Sequence, residues 1–95
     1  MIFDNTPKWY GYFSERLKNK IHQAVLAKFL EQEKAGMVNA EIIANRLGKT
    51  PEEIKNMLGA PGDWTLDTIS DLLYAMGCEL DLEVTSIEVL VSHNE

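Results

Sequence analysis

The sequence predicts a mainly α-helical domain closed by one C-terminal β-strand or short hairpin. Three observations predict it. Apolar residues recur at helical spacing through four segments, 14–35, 40–47, 51–58 and 66–76. A glycine ends three of them, at Gly36, Gly48 and Gly77, where such a residue stops a helix without a Cβ penalty, and Gly59 opens a loop after the third segment. Beyond Gly77 the apolar period changes from 3.6 to two.

The first 13 residues read as an aromatic-rich arm, with Phe3, Trp9, Tyr10, Tyr12 and Phe13. Thr6-Pro7 suits the start of a helical turn, and Gly11 weakens its continuation. Burial of so much aromatic surface is expected against the core. A contact surface for a partner or for the DNA backbone is the alternative. The first long helix is placed at 14–35, with Ser14 as its cap and Glu15 in its first turn. Leu17, Ile21, Val25 and Phe29 lie four apart, and Ala24, Leu26 and Leu30 widen the apolar face. His22 is expected on the surface of this helix, and Arg16, Lys18, Lys20 and Lys28 on a solvated face.

The segment 39–59, NAEIIANRLGKTPEEIKNMLG, organises the chain. Ile42, Ile43, Ala44 and Leu47 form one apolar stripe, and Ile54, Met57 and Leu58 another. Between them, Gly48 stops one helix and Thr50 caps the next. Pro51 suits the first helical position, and Glu53 completes a Thr-x-x-Glu capping box. A stop and a start within three residues force two short helices to cross steeply. Ile43, Leu47, Ile54 and Met57 are expected to close a small core there. The Gly59-Ala-Pro-Gly62 stretch is a loop. It lacks the preceding strand and the spacing of a phosphate loop. Trp64 should pack at the loop's end, and Thr65 should cap a helix with Leu66, Ile69, Leu72, Leu73 and Met76 inward. From Cys78, the residues Leu80, Leu82 and Val84 alternate with Glu79, Asp81 and Glu83, as in a half-buried strand. Ile87, Val89 and Val91 continue in the opposite phase after a turn or bulge near Thr85-Ser86. The chain thus divides into an arm (1–13), a helical domain (14–77) and a strand segment (78–95).

In the central segment, Ala44, Gly48, Ile54 and Met57 fall at intervals of four, six and three. This resembles the helix-turn-helix of the Cro/repressor (Xre) class of DNA-binding proteins. The stretch DWTLDTISDLLYAMGCEL (63–80) is similar to the segment after the recognition helix in small phage-repressor-like regulators and helix-turn-helix antitoxins. The resemblance covers 38–84, about half the chain. It implies a lambda-repressor-like fold and a sequence-specific transcriptional regulator, a repressor in function, bound to double-stranded DNA. The second short helix would then enter the major groove. Arg46, Lys49 and Lys55 are the expected phosphate contacts, with Thr50 at the start of the reading helix. Glu52 would accept from cytosine N4, and Asn56 would pair with adenine. In phage repressors of this class, glutamines commonly begin both helices and contact the operator. The matching positions here, Ala40 and Pro51, offer no amide. The competing class is a protein-interaction module on the same scaffold, antitoxin-like, with a basic partner such as a toxin.

Charge bears on both readings. The 95 residues carry a net charge of −6, which taken alone argues against nucleic acid. All nine Lys and Arg lie between Lys8 and Lys55. Residues 1–55 are net +2 and residues 56–95 net −8, so the reading half is mildly basic and the tail strongly acidic. An ordinary acidic protein accounts for the same totals. DNA would repel the tail, which is expected on the far side of the molecule.

No catalytic constellation stands out. His22 and His93 are far apart in sequence, and Asp67 and Asp71 read as a solvated helix face. The single Cys78 excludes an intramolecular disulfide and fits a small buried hydrophobe. No cofactor and no metal ligand set is expected. No apolar run approaches a membrane span and the start lacks a signal-peptide pattern, so a cytoplasmic protein is expected. A homodimer is expected through the C-terminal strand, with Leu80, Leu82 and Val84 buried against the partner.

Overall fold

A computed structural model describes residues 7–86, with side chains from Tyr10 onward. The described chain is mainly helical. Four α-helices succeed one another: α1 (Pro7–Lys34), α2 (Ala40–Leu47), α3 (Pro51–Leu58) and α4 (Leu66–Met76). A single 3-10 turn, Pro61–Asp63, precedes α4. No described helix is long and apolar enough to cross a membrane.

Three of the helices have the boundaries that the sequence predicts, and their ends explain why. Gly36, Gly48 and Gly77 all adopt positive φ, between 67° and 75°. Each closes its helix, α1, α2 and α4 in turn, with the same pair of backbone bonds, whereas Gly59 after α3 stays right-handed at φ −82° and donates to the Lys55 carbonyl at 3.0 Å. After α2, Lys49 N–H donates to the Ala44 carbonyl at 2.8 Å and Gly48 N–H to the Asn45 carbonyl at 3.4 Å. After α4, Cys78 and Gly77 donate likewise to Leu73 and Tyr74. These are Schellman closures, which satisfy carbonyls that the helix itself leaves open. The starts are capped by side chains. Asn39 Oδ1 accepts from Ile42 N–H at 2.8 Å, Thr50 Oγ1 from Glu53 N–H at 3.1 Å and Thr65 Oγ1 from Thr68 N–H at 3.2 Å.

α1 differs from expectation. It begins at Pro7 rather than Ser14, so part of the expected arm, residues 7–13, is helical. Pro7 at the first position is favourable, and Gly11 inside a helix costs only about 1 kcal/mol. At about 1.5 Å per residue, its 28 residues span roughly 42 Å, most of the 52 Å long axis. The helix therefore outruns what can pack on it. Val25 and Phe29 are buried, and Ile21 and Leu26 are half-buried. Leu17, Ala24 and Leu30, also expected inward, are exposed. Between Tyr10 and Lys20 every side chain except Phe13 is exposed. Lys28 pairs with Glu31 at 3.0 Å. That hydrogen bond and the carboxylate's charge hold the lysine's pKa above its ordinary value.

The core sits where α2, α3 and α4 meet the C-terminal half of α1. Ile43, Ile54 and Ala75 have no exposed surface, and Val25, Val38, Ala44 and Leu72 almost none. Leu47 and Met57 are half-buried against this cluster. Ala75 and Val38 join the core without a signal in the helical periodicity, whereas Leu66, expected inward, is 78% exposed. Leu66 sits on the first turn of α4, where it lines an open groove with Leu73, Tyr74 and Leu80.

The expected strand is absent among the described residues. From Cys78 to Ser86 the backbone forms no ladder, and Leu82 and Val84, whose expected cover is a partner copy, are exposed in the single chain. Alternation supplies a face but not a neighbour. A strand needs a second backbone to take up its N–H and C=O groups, and this stretch meets none. The second half of the predicted strand, at Ile87, Val89 and Val91, lies outside the described residues, as do Phe3 of the arm and His93.

Candidate nucleic-acid interface

The candidate surface is the turn Gly48-Lys49-Thr50 and the outer face of α3. Ile54 anchors α3 from beneath and leaves Pro51, Glu52, Glu53, Lys55 and Asn56 exposed. Glu52, Lys55 and Asn56 are three and four residues apart, which puts them on one helical face. They stand in the first two turns, the part of a reading helix that reaches base edges.

Not every expected contact residue is available there. Thr50 uses its hydroxyl in the cap, accepting from Glu53 N–H and donating to Glu53 Oε1 at 3.3 Å. Lys49 Nζ lies 4.0 Å from Glu53 Oε2. This exposed pair adds little stability and can open toward another anion. Arg46 is exposed but reaches over the end of α4, where Nη1 donates to the Ala75 carbonyl. The sequence points to it as a phosphate contact, but one arm of its guanidinium binds a helix end. The sign of that contact is favourable, a cation at the negative end of the α4 dipole. Lys55 and Asn56 carry no such commitment among the described residues.

Two residues outside the expected site fasten helix ends, one at this surface and one at the end of α4. Trp64, expected only as a packing residue, donates from Nε1 to the Met57 carbonyl at 2.7 Å. That carbonyl also accepts from Ala60 N–H at 3.2 Å, so the C-terminal end of α3 is tied down twice. His22 of α1, expected at the surface, is half-buried with its ring edge-on to Trp64 at 5.3 Å. The second residue is Gln32. It is 8% exposed on the core side of α1 and donates from Nε2 to the Met76 carbonyl at 3.2 Å and to Cys78 Sγ at 3.3 Å. Gln32 Oε1 has no partner among the described residues. With Arg46 and the Schellman bonds, every carbonyl of the last turn of α4 is therefore satisfied. A polar residue three places after Phe29, in phase with the Val25–Phe29 stripe, is the available signal for Gln32.

Leu80 is half-buried, and Leu82 and Val84 are exposed on the tail beyond α4. Comparison with protein-family models, curated proteins and solved structures gave no match.

Proposed function

We propose that this chain is a sequence-specific DNA-binding regulator of the helix-turn-helix kind, with a lambda-repressor-like arrangement of α2 and α3. The observation that carries the reading is the pairing of a short, doubly capped α3, buried on one side through Ile54, with an open row of Glu52, Lys55 and Asn56 on the other. A helix held this rigidly with exchangeable polar groups outward suits insertion into a major groove. Lys49 and Lys55 would then meet phosphates, while Glu52 and Asn56 would meet base edges. Repression would result from occupancy of an operator.

A second reading has its own support. Glu52 and Glu53 put negative charge at the start of α3, Arg46 is drawn to α4, and residues 56–95 are net −8. These features favour a basic protein partner, such as a toxin, on an antitoxin-like scaffold. A gel-shift series on selected DNA separates the two. Lys55→Ala should weaken binding to every sequence alike, because a phosphate contact is lost. Asn56→Ala should relax preference at one base pair, by roughly 1–3 kcal/mol. Arg46→Ala should lower thermal stability in the absence of DNA, a change that Lys55→Ala should not produce. Unchanged binding by both α3 variants would reject this face as the reader.

A further inference from the structure

The segment that holds α2 and α3 does not carry the chain's cationic excess. Across 39–59, Arg46, Lys49 and Lys55 are matched by Glu41, Glu52 and Glu53, net zero. Across 8–20, Lys8, Arg16, Lys18 and Lys20 stand against the single acid Glu15, net +3. The densest positive stretch is therefore the first half of α1, which projects beyond the core. Arg16 and Lys20 are exposed and four residues apart, about 6 Å along one helical face. Lys18 lies 3.8 Å from Glu15, whereas Arg16 and Lys20 enter no ion pair among the described residues.

The acidic tail runs back along this face. Cys78 lies beside Gln32, and Glu83 lines a groove with Phe13, Arg16, Leu17 and Lys20. From Gln32 back to Lys20, α1 rises about 18 Å. From Cys78 to Glu83, an extended chain covers about 17 Å. Leu82 is 74% exposed and Val84 fully so, so apolar burial does not hold the tail there. No backbone hydrogen bond from residues 79–86 is present among the described residues either. Glu83 thus stands beside two unpaired cations on a segment fastened only at its start, a contact that another polyanion can displace.

We propose that the first half of α1 is a second contact surface for the DNA backbone, and that residues 79–83 are its internal competitor. Glu79, Asp81 and Glu83 place one charge about every 6.7 Å along an extended chain, whereas duplex DNA places one about every 1.7 Å. The tail therefore masks Arg16 and Lys20 against weak contact with random sequence and yields where α3 also engages. This suppression of the wrong partner sharpens discrimination without any further base contact. The inference rests on the regulator reading and adds to it a masked phosphate-binding surface remote from α3 in sequence.

The test measures binding of the full chain to a random-sequence duplex at about 50 mM salt by fluorescence anisotropy, with far-UV circular dichroism to verify helicity. Four proteins are compared: wild type, the tail variant Glu79→Gln/Asp81→Asn/Glu83→Gln, the helix variant Arg16→Ala/Lys20→Ala, and the two sets combined. The tail variant should bind at least about fivefold tighter than wild type, with a salt slope steeper by about 2 for each chain bound. The helix substitutions should change wild-type affinity by less than about twofold, yet remove most of the gain when combined with the tail variant. Absence of a gain would overturn the proposal. So would a gain kept in the combined variant, which would reflect net charge alone, or equal losses from the helix substitutions in both backgrounds, which would mean cations already open. Lys55→Ala reports on α3 separately: if it changes nothing while the tail variant gains, the α3 reading fails and the masked surface stands.

Discussion

Ile54→Ala should destabilise the protein by about 2–5 kcal/mol, the range for emptying a fully buried branched aliphatic site. Ile54 has no exposed surface and sits under the crossing of α2 and α3 beside Ile43 and Ala44. Helices of eight residues are too short to persist alone. Their order comes from this contact, so a cavity here loosens the turn as well as the core. A small domain holds only about 5–15 kcal/mol in total. The melting temperature should therefore fall by more than about 10 °C. Ile54→Val, which removes one methylene, should cost about 0.5–1.5 kcal/mol. Equal melting curves for Ile54→Ala and wild type would mean that α3 is not seated as described.

Trp64→Ala should have the next largest effect, about 3 kcal/mol, at the low end for an aromatic truncation because the ring is only half-buried. The substitution removes the ring edge contact with His22 and the hydrogen bond to the Met57 carbonyl. Trp64→Phe separates the two losses. It keeps most of the packing and forfeits the N–H donor, for about 1 kcal/mol. Met57 stands at the end of α3, so Trp64→Ala should also loosen the outer face of α3. Chemical denaturation of the three proteins gives the comparison. A Phe variant as unstable as the Ala variant would assign the whole effect to the hydrogen bond, contrary to this expectation.

The helices are legible because their ends are written in local chemistry. Gly48 and Gly77 take the left-handed backbone, and Thr50 and Thr65 accept the N–H bonds that their positions imply. Such signals depend on a few neighbouring residues and survive whatever the rest of the chain does. The buried pair Ile43 and Ile54 is equally readable from helical phase. The features that sequence does not reveal depend on distant parts of the chain. Whether Leu17 is buried depends on how far α4 reaches along α1, and no residue near Leu17 carries that information. The position of Arg46 escapes local reading for the same reason: a basic residue near a turn invites a phosphate, while the carbonyl that claims it lies 29 residues away. The alternation of Cys78 to Val84 favours an extended segment. Whether such a segment becomes a strand depends on a second backbone, which local sequence does not supply.

For the candidate site, the outward residues of α3 are set by the same periodicity that identifies Ile54. Thr50 is readable in one role and is used in that role, as a cap. The fastening of α3 through Trp64 is half visible, since packing is expected there but the hydrogen bond to Met57 is not. An indole N–H must find an acceptor when its ring is drawn inward, and the open carbonyls at the end of α3 are the nearest supply.

The claim that α3 reads DNA is tested most directly by the salt dependence of binding to a random-sequence duplex. Lys49 and Lys55 from two protomers would neutralise about four phosphates, so the logarithm of the association constant should fall linearly with the logarithm of salt concentration, with a slope of about −3 to −4. Lys55→Ala should make that slope shallower by about 1 to 2. Absence of binding at about 50 mM salt, or an affinity that does not change between about 50 and 200 mM, would contradict the claim.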